Sequence, residues 1–262
     1  TTTPDRWWLW ALKAIKQGKK LIDQYHPDMI WSTHPIVSSH FVGLKLSDYA
    51  KRNNPKCRWI ADYRDPMKCQ YEPKAIAYPF VSRWIDNKVI DKADAAVFVT
   101  TQSKKLYADN YSNQQHKFHV IENGYYEKNF ALAAPLIKKM TKDPRFTILH
   151  SGALFPTHAR NPHHIFIAMS HLKQSGIIKA TNFVLKFRGC PDGNSFSESL
   201  NTLNIVDLVE FLPNITYLES LAEMQLADTL LTIQGELFDK QIPGKVYEYI
   251  RANKPIIALT EQ

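Results

Sequence analysis

The sequence is poor in the features that most quickly assign a function. It holds three cysteines, Cys57, Cys69 and Cys190. Their number is odd and their spacing is that of neither a zinc site nor a disulfide framework, which points to a reducing compartment. No apolar run approaches the roughly 20 residues of a membrane-spanning helix, and nothing at the start reads as a secretion leader. G-x-G-x-x-G and G-x-x-x-x-G-K-[ST] are both missing, so the two ordinary nucleotide signatures are absent. No Asp-x-Asp element follows an apolar run, which removes the common way of holding a diphosphate through a metal. His34, His150, His158, His163 and His164 invite a metal. However, His163 and His164 are adjacent and would point apart on a helix, and no metal is expected. No nucleic-acid-binding motif and no aromatic-basic ladder is present, so nucleic acid is not an expected partner.

What is present is unevenly placed. The net charge is +8. Residues 1–132 carry 20 Lys/Arg against 13 Asp/Glu, a net of +7, and residues 133–262 carry 13 against 12, a net of +1. All six tryptophans, Trp7, Trp8, Trp10, Trp31, Trp59 and Trp84, also lie in the first half. The halves therefore face different partners, and a basic, Trp-bearing half suits an anionic membrane surface or an anionic acceptor. Residues 5–24 read as a helix with Asp5 as N-cap. Trp8, Leu12, Ile15 and Ile22 fall on one side, and Arg6, Lys13, Lys16, Lys19 and Lys20 are spread along it. Two readings stay open: an interfacial amphipathic helix, or an ordinary surface helix whose tryptophans pack inward.

From residue 28 the pattern alternates between short apolar strands and helices. Strands are expected at 28–33, 58–63, 95–100 and 117–121, with helices at 38–51, 80–92 and 102–111. Residues 131–145, with Pro135, Pro144 and several basic residues, show no clear period and read as an interdomain connection. A second series follows, with strands at 146–151, 183–187, 209–212, 229–233 and 256–259. Its helices lie at 163–174, 195–203, 217–226 and just after Pro243. Such alternation means an α/β fold of two parallel-sheet, Rossmann-like domains with helices on both faces. The domains are expected at 1–135 and 136–262, facing across a cleft. Ligands in such sheets sit beyond the carboxyl ends of the strands.

The residues that follow the strands are therefore the candidates. In the first half they are Thr33-His34, Asp62-Tyr63-Arg64-Asp65 and Asn123-Gly124. Asp62 and Asp65 suit acid/base work, or else Arg64 and Asp65 hold a turn through a salt bridge. In the second half they are Ser151-Gly152, Arg188-Gly189 and Leu212-Pro213-Asn214. Glycines let a ligand approach the backbone, and Arg160, Arg188 and Lys245 are cations that suit a diphosphate. The stretch Pro243 to Thr260 is the most structured signal. Pro243 has its φ preset for a first helical turn. Val246, Tyr249 and Ile250 form an apolar stripe. Asn253 is a left-handed cap, Pro255 stops the helix, and Ile256 to Leu259 read as a buried parallel strand. At about 100° per residue Lys245 and Glu248 lie about 60° apart and off the stripe. An amide-rich helix start with a cation suits a phosphate, and a carboxylate one turn on suits a pair of sugar hydroxyls. The alternative is a solvated outer face.

Four segments together resemble a known family. They are Trp31-Ser-Thr-His-Pro35 with Trp59-Ile-Ala-Asp-Tyr-Arg-Asp-Pro66, Val120-Ile-Glu-Asn-Gly124 with Phe130, Ser151-Gly152 with Arg160-Asn161-Pro162, and Pro243-Gly-Lys245 with Glu248-Tyr249 and Asn253-Lys-Pro255. In this order and spacing they resemble the bacterial retaining glycosyltransferases of the GT-B fold, which build capsule, lipopolysaccharide and exopolysaccharide. The chain resembles a fragment of such a protein lacking both ends. The resemblance implies transfer of a sugar from a UDP- or GDP-sugar to a lipid-linked or saccharide acceptor, with retention and without cofactor or metal. It implies a cytoplasmic protein, peripheral on the inner face of the membrane. It places Glu248 on the donor ribose, Arg160 and Lys245 on the diphosphate, and backbone groups near Leu212 on the base. Gly152 and Arg188 join the donor side, and Arg64, Asp65 and Asp62 the reacting side. Arg64 stands where much of the family has a histidine. Lys240 stands where it often has a second glutamate, with Asp239 or Gln241 as stand-ins. Retention there is ascribed to front-face attack, so no protein nucleophile is expected. Two other functions compete: a GT-B nucleotide-sugar epimerase, and a non-catalytic sugar-nucleotide-binding or scaffold protein.

Overall fold

The computed structural model describes residues 5–67, 78–152, 154, 161–190, 193–235 and 241–260. The chain divides into two compact units, Thr1–Glu122 and Asn123–Gln262.

The first unit starts with helix α1 (Trp8–Tyr25), followed by β1 (Met29–His34), α2 (Val37–Asn53), β2 (Arg58–Tyr63), α3 (Tyr78–Lys92), β3 (Ala95–Phe98), α4 (Thr101–Asn110) and β4 (Phe118–Val120). The four strands form one parallel sheet in the order β1-β2-β3-β4. On β2, Trp59, Ala61 and Tyr63 are buried and alternate with the less buried Ile60 and Asp62, the period-2 pattern of a pleated strand. Their core partners come from α2 (Val37, Leu44), α3 (Ile85, Val89) and α4 (Tyr107). Ile22 of α1 packs with Ala50 of α2 and with Cys57, which precedes β2.

Asp5 does not cap α1, whose N-cap is Trp7 without a side-chain bond. The Asp5 carboxylate accepts from Trp7 N at 2.8 Å and from both Ser38 N and Ser38 Oγ at 2.8 Å. It therefore caps the next helix, α2, whose own N-cap residue Ile36 offers no side-chain bond. A carboxylate is well suited to that helix start because the first amides lack intrahelical partners.

The second unit runs α5 (Glu127–Ile137), β5 (Phe146–Ser151), α6 (His163–Gln174), β6 (Phe183–Arg188), α7 (Ser197–Thr202), β7 (Val209–Leu212), α8 (Tyr217–Leu226), β8 (Thr229–Gln234), α9 (Gly244–Ala252) and β9 (Ile256–Thr260). Its parallel sheet has the order β7-β6-β5-β8-β9. Both faces are covered. Ile148, Leu231 and Ile233 pack with Phe166, Met169 and Leu200 of α6 and α7 on one side. Leu149 and Leu230 pack with Phe130, Leu221, Ala222 and Tyr249 of α5, α8 and α9 on the other. The chain grows from β5 toward β7, then returns to add β8 on the other edge of β5. The carboxyl ends of β5 and β8 thus form a topological switch point, where ligands of open α/β sheets bind.

Three expectations differ from the structure. The part of residues 131–145 that was read as a connection contains most of helix α5, with Pro135 inside it. Phe130, Ala133 and the partly buried Leu136 and Ile137 give this helix an apolar stripe that packs against α8 and α9. That packing outweighs the helix-breaking proline, and α5 belongs with the second compact unit, Asn123–Gln262. Residues 256–260 form a parallel strand, but on the sheet edge with Ile257 and Ala258 exposed rather than buried. Pro243 is the N-cap of α9, not its first residue, while Asn253 caps the other end in the left-handed region at φ 55°.

Candidate functional site

At the carboxyl end of the second sheet, two glycines among the described residues form a backbone platform. Gly152 follows β5 with φ +122° and Gly189 follows β6 with φ +82°, conformations that disfavour any side chain. A Cβ on Gly189 would come within 3.0 Å of Asn214 Oδ1 and 3.8 Å of Gly152 Cα. The platform is tied together by Gly152 N donating to Arg188 O at 2.8 Å and Gly189 N to Leu212 O at 3.0 Å. Leu212, the expected base-side residue, is thus held to Gly189 through its carbonyl.

Helix α9 reaches this platform with two side chains a turn apart. Lys245 Nζ donates to His150 Nε2 at 3.0 Å and to Ser151 O at 3.3 Å, and it lies 3.6 Å from where a Cβ on Gly152 would stand. Tyr249 Oη accepts from Ser151 N at 2.9 Å. Burial pushes the Tyr249 hydroxyl well above the ordinary phenol range, against the hydrogen bond from Ser151. Among the described residues, a Cβ on Gly244 would meet nothing within 4 Å. Gln234 Nε2 donates to Gln241 O at 2.9 Å, joining the end of β8 to the residues before α9. Glu248 accepts from Tyr217 Oη at 2.7 Å. Tyr217 opens α8, whose start carries a complete capping box between Thr216 and Glu219. Burial and the Glu248 carboxylate raise the Tyr217 phenol, so it stays a donor.

Gly152, Leu212, Lys245 and Glu248 all belong to this end of the sheet or to the helices that border it. Arg188 is there too, but in a different role. Its Nε and Nη2 donate to Glu223 Oε2 and Oε1 at 2.8 and 2.6 Å, and its Nη1 donates to Pro213 O at 2.9 Å. It clamps α8 and the β7 exit to the sheet. Arg160, Asp239 and Lys240 lie outside the described residues.

In the first unit the three reacting-side candidates cluster at the ends of β1 and β2. Thr33 Oγ1 donates to Asp62 Oδ2 at 3.2 Å, and Asp62 is directly across from Thr33 in the ladder. Burial pushes the Asp62 carboxyl above the usual carboxylate range, against hydrogen bonds from Thr33 and Trp31 and the charge of Arg64. His34 Nδ1 lies 2.7 Å from Asp65 O, which only accepts, so that nitrogen donates. Arg64 is exposed. Behind them His40 is fully buried. Trp59 Nε1 donates to Ser32 Oγ at 2.9 Å, and Ser32 Oγ lies 2.8 Å from His40 Nδ1. Burial holds His40 well below the ordinary histidine range, with His34 adding to the effect. Deeper still, Tyr63 and Tyr107 donate to the buried Asp86 carboxylate.

Helix α1 has both faces that its sequence left open. Trp8 packs inward on Phe41, with ring centroids 5.0 Å apart. Trp7, Leu9, Trp10, Leu12 and Leu21 are exposed, among the exposed Lys13, Lys16, Lys19 and Lys20. A groove of about 330 Å³ beside it is lined by Leu12, Ile15, Lys19, Phe41, Lys45 and Arg52, among others. Among the described residues no helix is long and apolar enough to cross a membrane, and no group of three or more His, Cys, Asp or Glu is placed to hold a metal.

No family model matches the sequence, and a search of curated proteins gave no match. Solved structures do match. A sucrose-phosphate synthase from Thermosynechococcus elongatus superposes with a TM-score of 0.69 at 15% identity over 97% of this chain and 61% of that one. A UDP-forming α,α-trehalose-phosphate synthase from Burkholderia xenovorans gives 0.64 at 13% over 98% and 65%. A UDP-GlcNAc 2-epimerase from Neisseria meningitidis, bound to UDP-GlcNAc, gives 0.52 at 13% over 100% and 67%. The chain thus spans less than two thirds of the first two. The fold is that of the GT-B proteins: two Rossmann-like α/β units with parallel sheets of four and five strands.

Proposed function

We propose that the chain is the part of a sugar-nucleotide-dependent glycosyltransferase that holds the donor on its second unit. One observation carries this reading. Helix α9 sets Lys245 over the glycine platform at the switch point and Glu248 one turn further along the same helix. An ammonium beside glycine backbone and a helix start suits a diphosphate. A carboxylate one turn away suits the paired hydroxyls of a ribose. Neutralising the diphosphate lowers the barrier to departure of the nucleotide without a metal. Tyr217 supports Glu248 by donating to it, leaving the carboxylate's other lone pairs for sugar hydroxyls. The likeness to structures described as UDP-forming or bound to UDP-GlcNAc supports a UDP-type donor.

The first unit takes the acceptor. Asp62, with its raised carboxyl, sits with Arg64 and Asp65 at the strand ends, which suits proton transfer at an acceptor hydroxyl. The exposed aromatic and basic face of α1 suits an acceptor linked to lipid in an anionic membrane, as in the assembly of bacterial surface polysaccharide. The reaction retains the anomeric configuration, with no protein nucleophile.

The test is calorimetry of the chain with UDP, GDP and ADP. One of them binds, and Glu248→Ala weakens it by about tenfold or more, the worth of charged hydrogen bonds of about 1.5–3 kcal/mol. Unchanged affinity in Glu248→Ala removes α9 from the donor site. An inverted anomeric linkage in the product of the active enzyme, read by NMR, removes the retaining part.

A further inference from the structure

His150 sits on β5 with no exposed surface, and its two ring nitrogens face partners of opposite kind. Nδ1 lies 3.0 Å from Leu231 O and Nε2 lies 3.0 Å from Lys245 Nζ. A carbonyl only accepts and an ammonium only donates. The ring must therefore carry its proton on Nδ1 and accept at Nε2. An imidazolium there would set a donor N–H against a cation. Phe187 flanks the ring, with centroids 5.8 Å apart. The imidazole is thus fixed by the β8 backbone on one side and presents a lone pair on the other.

We propose that His150 is a positioning residue for Lys245, holding the ammonium over Gly152 so that a diphosphate meets a preset cation. The inference rests on the reading of Lys245 as the diphosphate cation. A lysine has four rotatable side-chain bonds and carries about 2 kcal/mol of rotamer entropy. A lone surface lysine surrenders much of that when an anion binds. Here the bonds to His150 and Ser151 O hold the stem before the anion arrives. Four residues on, Tyr249 bonds Ser151 N, so α9 is pinned to the end of β5 at two points and the lysine cannot swing with the helix.

The test pairs two variants of the same size class. Gln places its terminal amide near the position of Nε2, whereas Asn reaches only the position of Nδ1. His150→Gln therefore keeps an acceptor for Lys245, and UDP affinity by calorimetry stays within about threefold of the parent. His150→Asn loses that acceptor, and affinity falls about tenfold, the worth of one charged hydrogen bond. Lys245→Met falls at least as far, and adding His150→Asn to it changes nothing further. In the parent, long-range ¹H–¹⁵N spectra of ¹⁵N-histidine-labelled protein show one histidine, assigned by its loss in His150→Asn, as the Nδ1–H tautomer with an accepting Nε2. Equal affinities for the Gln and Asn variants, additive losses with Lys245→Met, or an Nε2–H tautomer overturn the proposal. UDP binding that ignores Lys245→Met overturns the donor reading instead, and the tautomer then still decides whether His150 holds the lysine.

Discussion

Replacing Arg188 separates a clamp from a ligand. Its side chain and that of Glu223 are each only 14% exposed, and they share two parallel bonds at 2.8 and 2.6 Å. This is the bidentate geometry that makes an arginine–carboxylate pair strong. Arg188→Met keeps most of the stem but leaves the Glu223 carboxylate largely buried and without its cation. Losing one partner of such a pair costs about 3–5 kcal/mol, and partial exposure puts the expectation at the lower end, about 3 kcal/mol. Glu223→Met strands the guanidinium and costs a similar amount. Removing both charges together leaves no uncompensated ion, so the double variant loses far less than the sum, with a coupling of about 2–3 kcal/mol.

A whole-chain melting temperature is a poor assay for two units. All six tryptophans lie between Trp7 and Trp84, so their fluorescence reports the first unit and serves as an unmoved control. Stability of the second unit is read from hydrogen exchange in peptides covering β6 and α8. UDP affinity changes less than threefold beyond what unfolding explains. Strictly additive losses refute the clamp. A tenfold loss of UDP affinity with exchange unchanged returns Arg188 to the diphosphate.

Two further outcomes follow from the first unit. Burial raises the Asp62 carboxyl in the folded state, so the folded protein holds that proton to higher pH than the unfolded chain. Its contribution to stability is most favourable below the unfolded carboxylate pKa and declines as pH rises toward the folded value. Asp62→Asn therefore unfolds no earlier than the parent at pH 7 by tryptophan fluorescence while transfer activity falls; earlier unfolding at pH 7 but not at pH 4 contradicts the sign. On α1, Trp10→Ser with Leu9→Ser weakens co-sedimentation with vesicles of phosphatidylglycerol and phosphatidylcholine about a hundredfold or more, from the loss of two inserted apolar side chains of about 1.5–3 kcal/mol each. Binding that is unaffected by the variant, or by 0.5 M salt, counts against the helix as an anionic-surface anchor.

The sequence carried the periodic features well because they are local. The α9 stripe, the Asn253 cap and the Pro255 stop depend on residues within one or two turns of each other, and the strand–helix alternation follows from apolar spacing alone. Pairings that cross the chain were not legible. Glu223 is the residue that claims Arg188, and nothing within the Arg188 segment points to it. Asp5 reads as the cap of the helix beginning beside it, but the chain brings its carboxylate to Ser38 at the start of α2. Helix α5 was hidden by Pro135, although Phe130, Ala133 and Leu136 already had a helical spacing. His150 was weighed only as a metal ligand. The available clue was a polar residue inside an otherwise apolar strand, since a buried polar group must find a partner. The edge position of β9 depends on the order of strands in space, which the pattern of one strand does not contain.

The strand order also sets a schedule for synthesis. In the first unit each new strand lies beside the one made just before it, so that sheet can assemble in step with the emerging chain. In the second unit β5 appears first and gains β6 and β7 on one edge, while its other edge waits for β8. Until then β5 carries an open row of backbone donors and acceptors, the kind of edge that pairs with foreign strands. The groups proposed to meet a diphosphate sit at the end of that waiting strand, and Lys245 arrives later still, on α9. A stall in translation between β7 and β8 therefore leaves the glycine platform only half supported and β5 with an unpaired edge, the segment most in need of a chaperone.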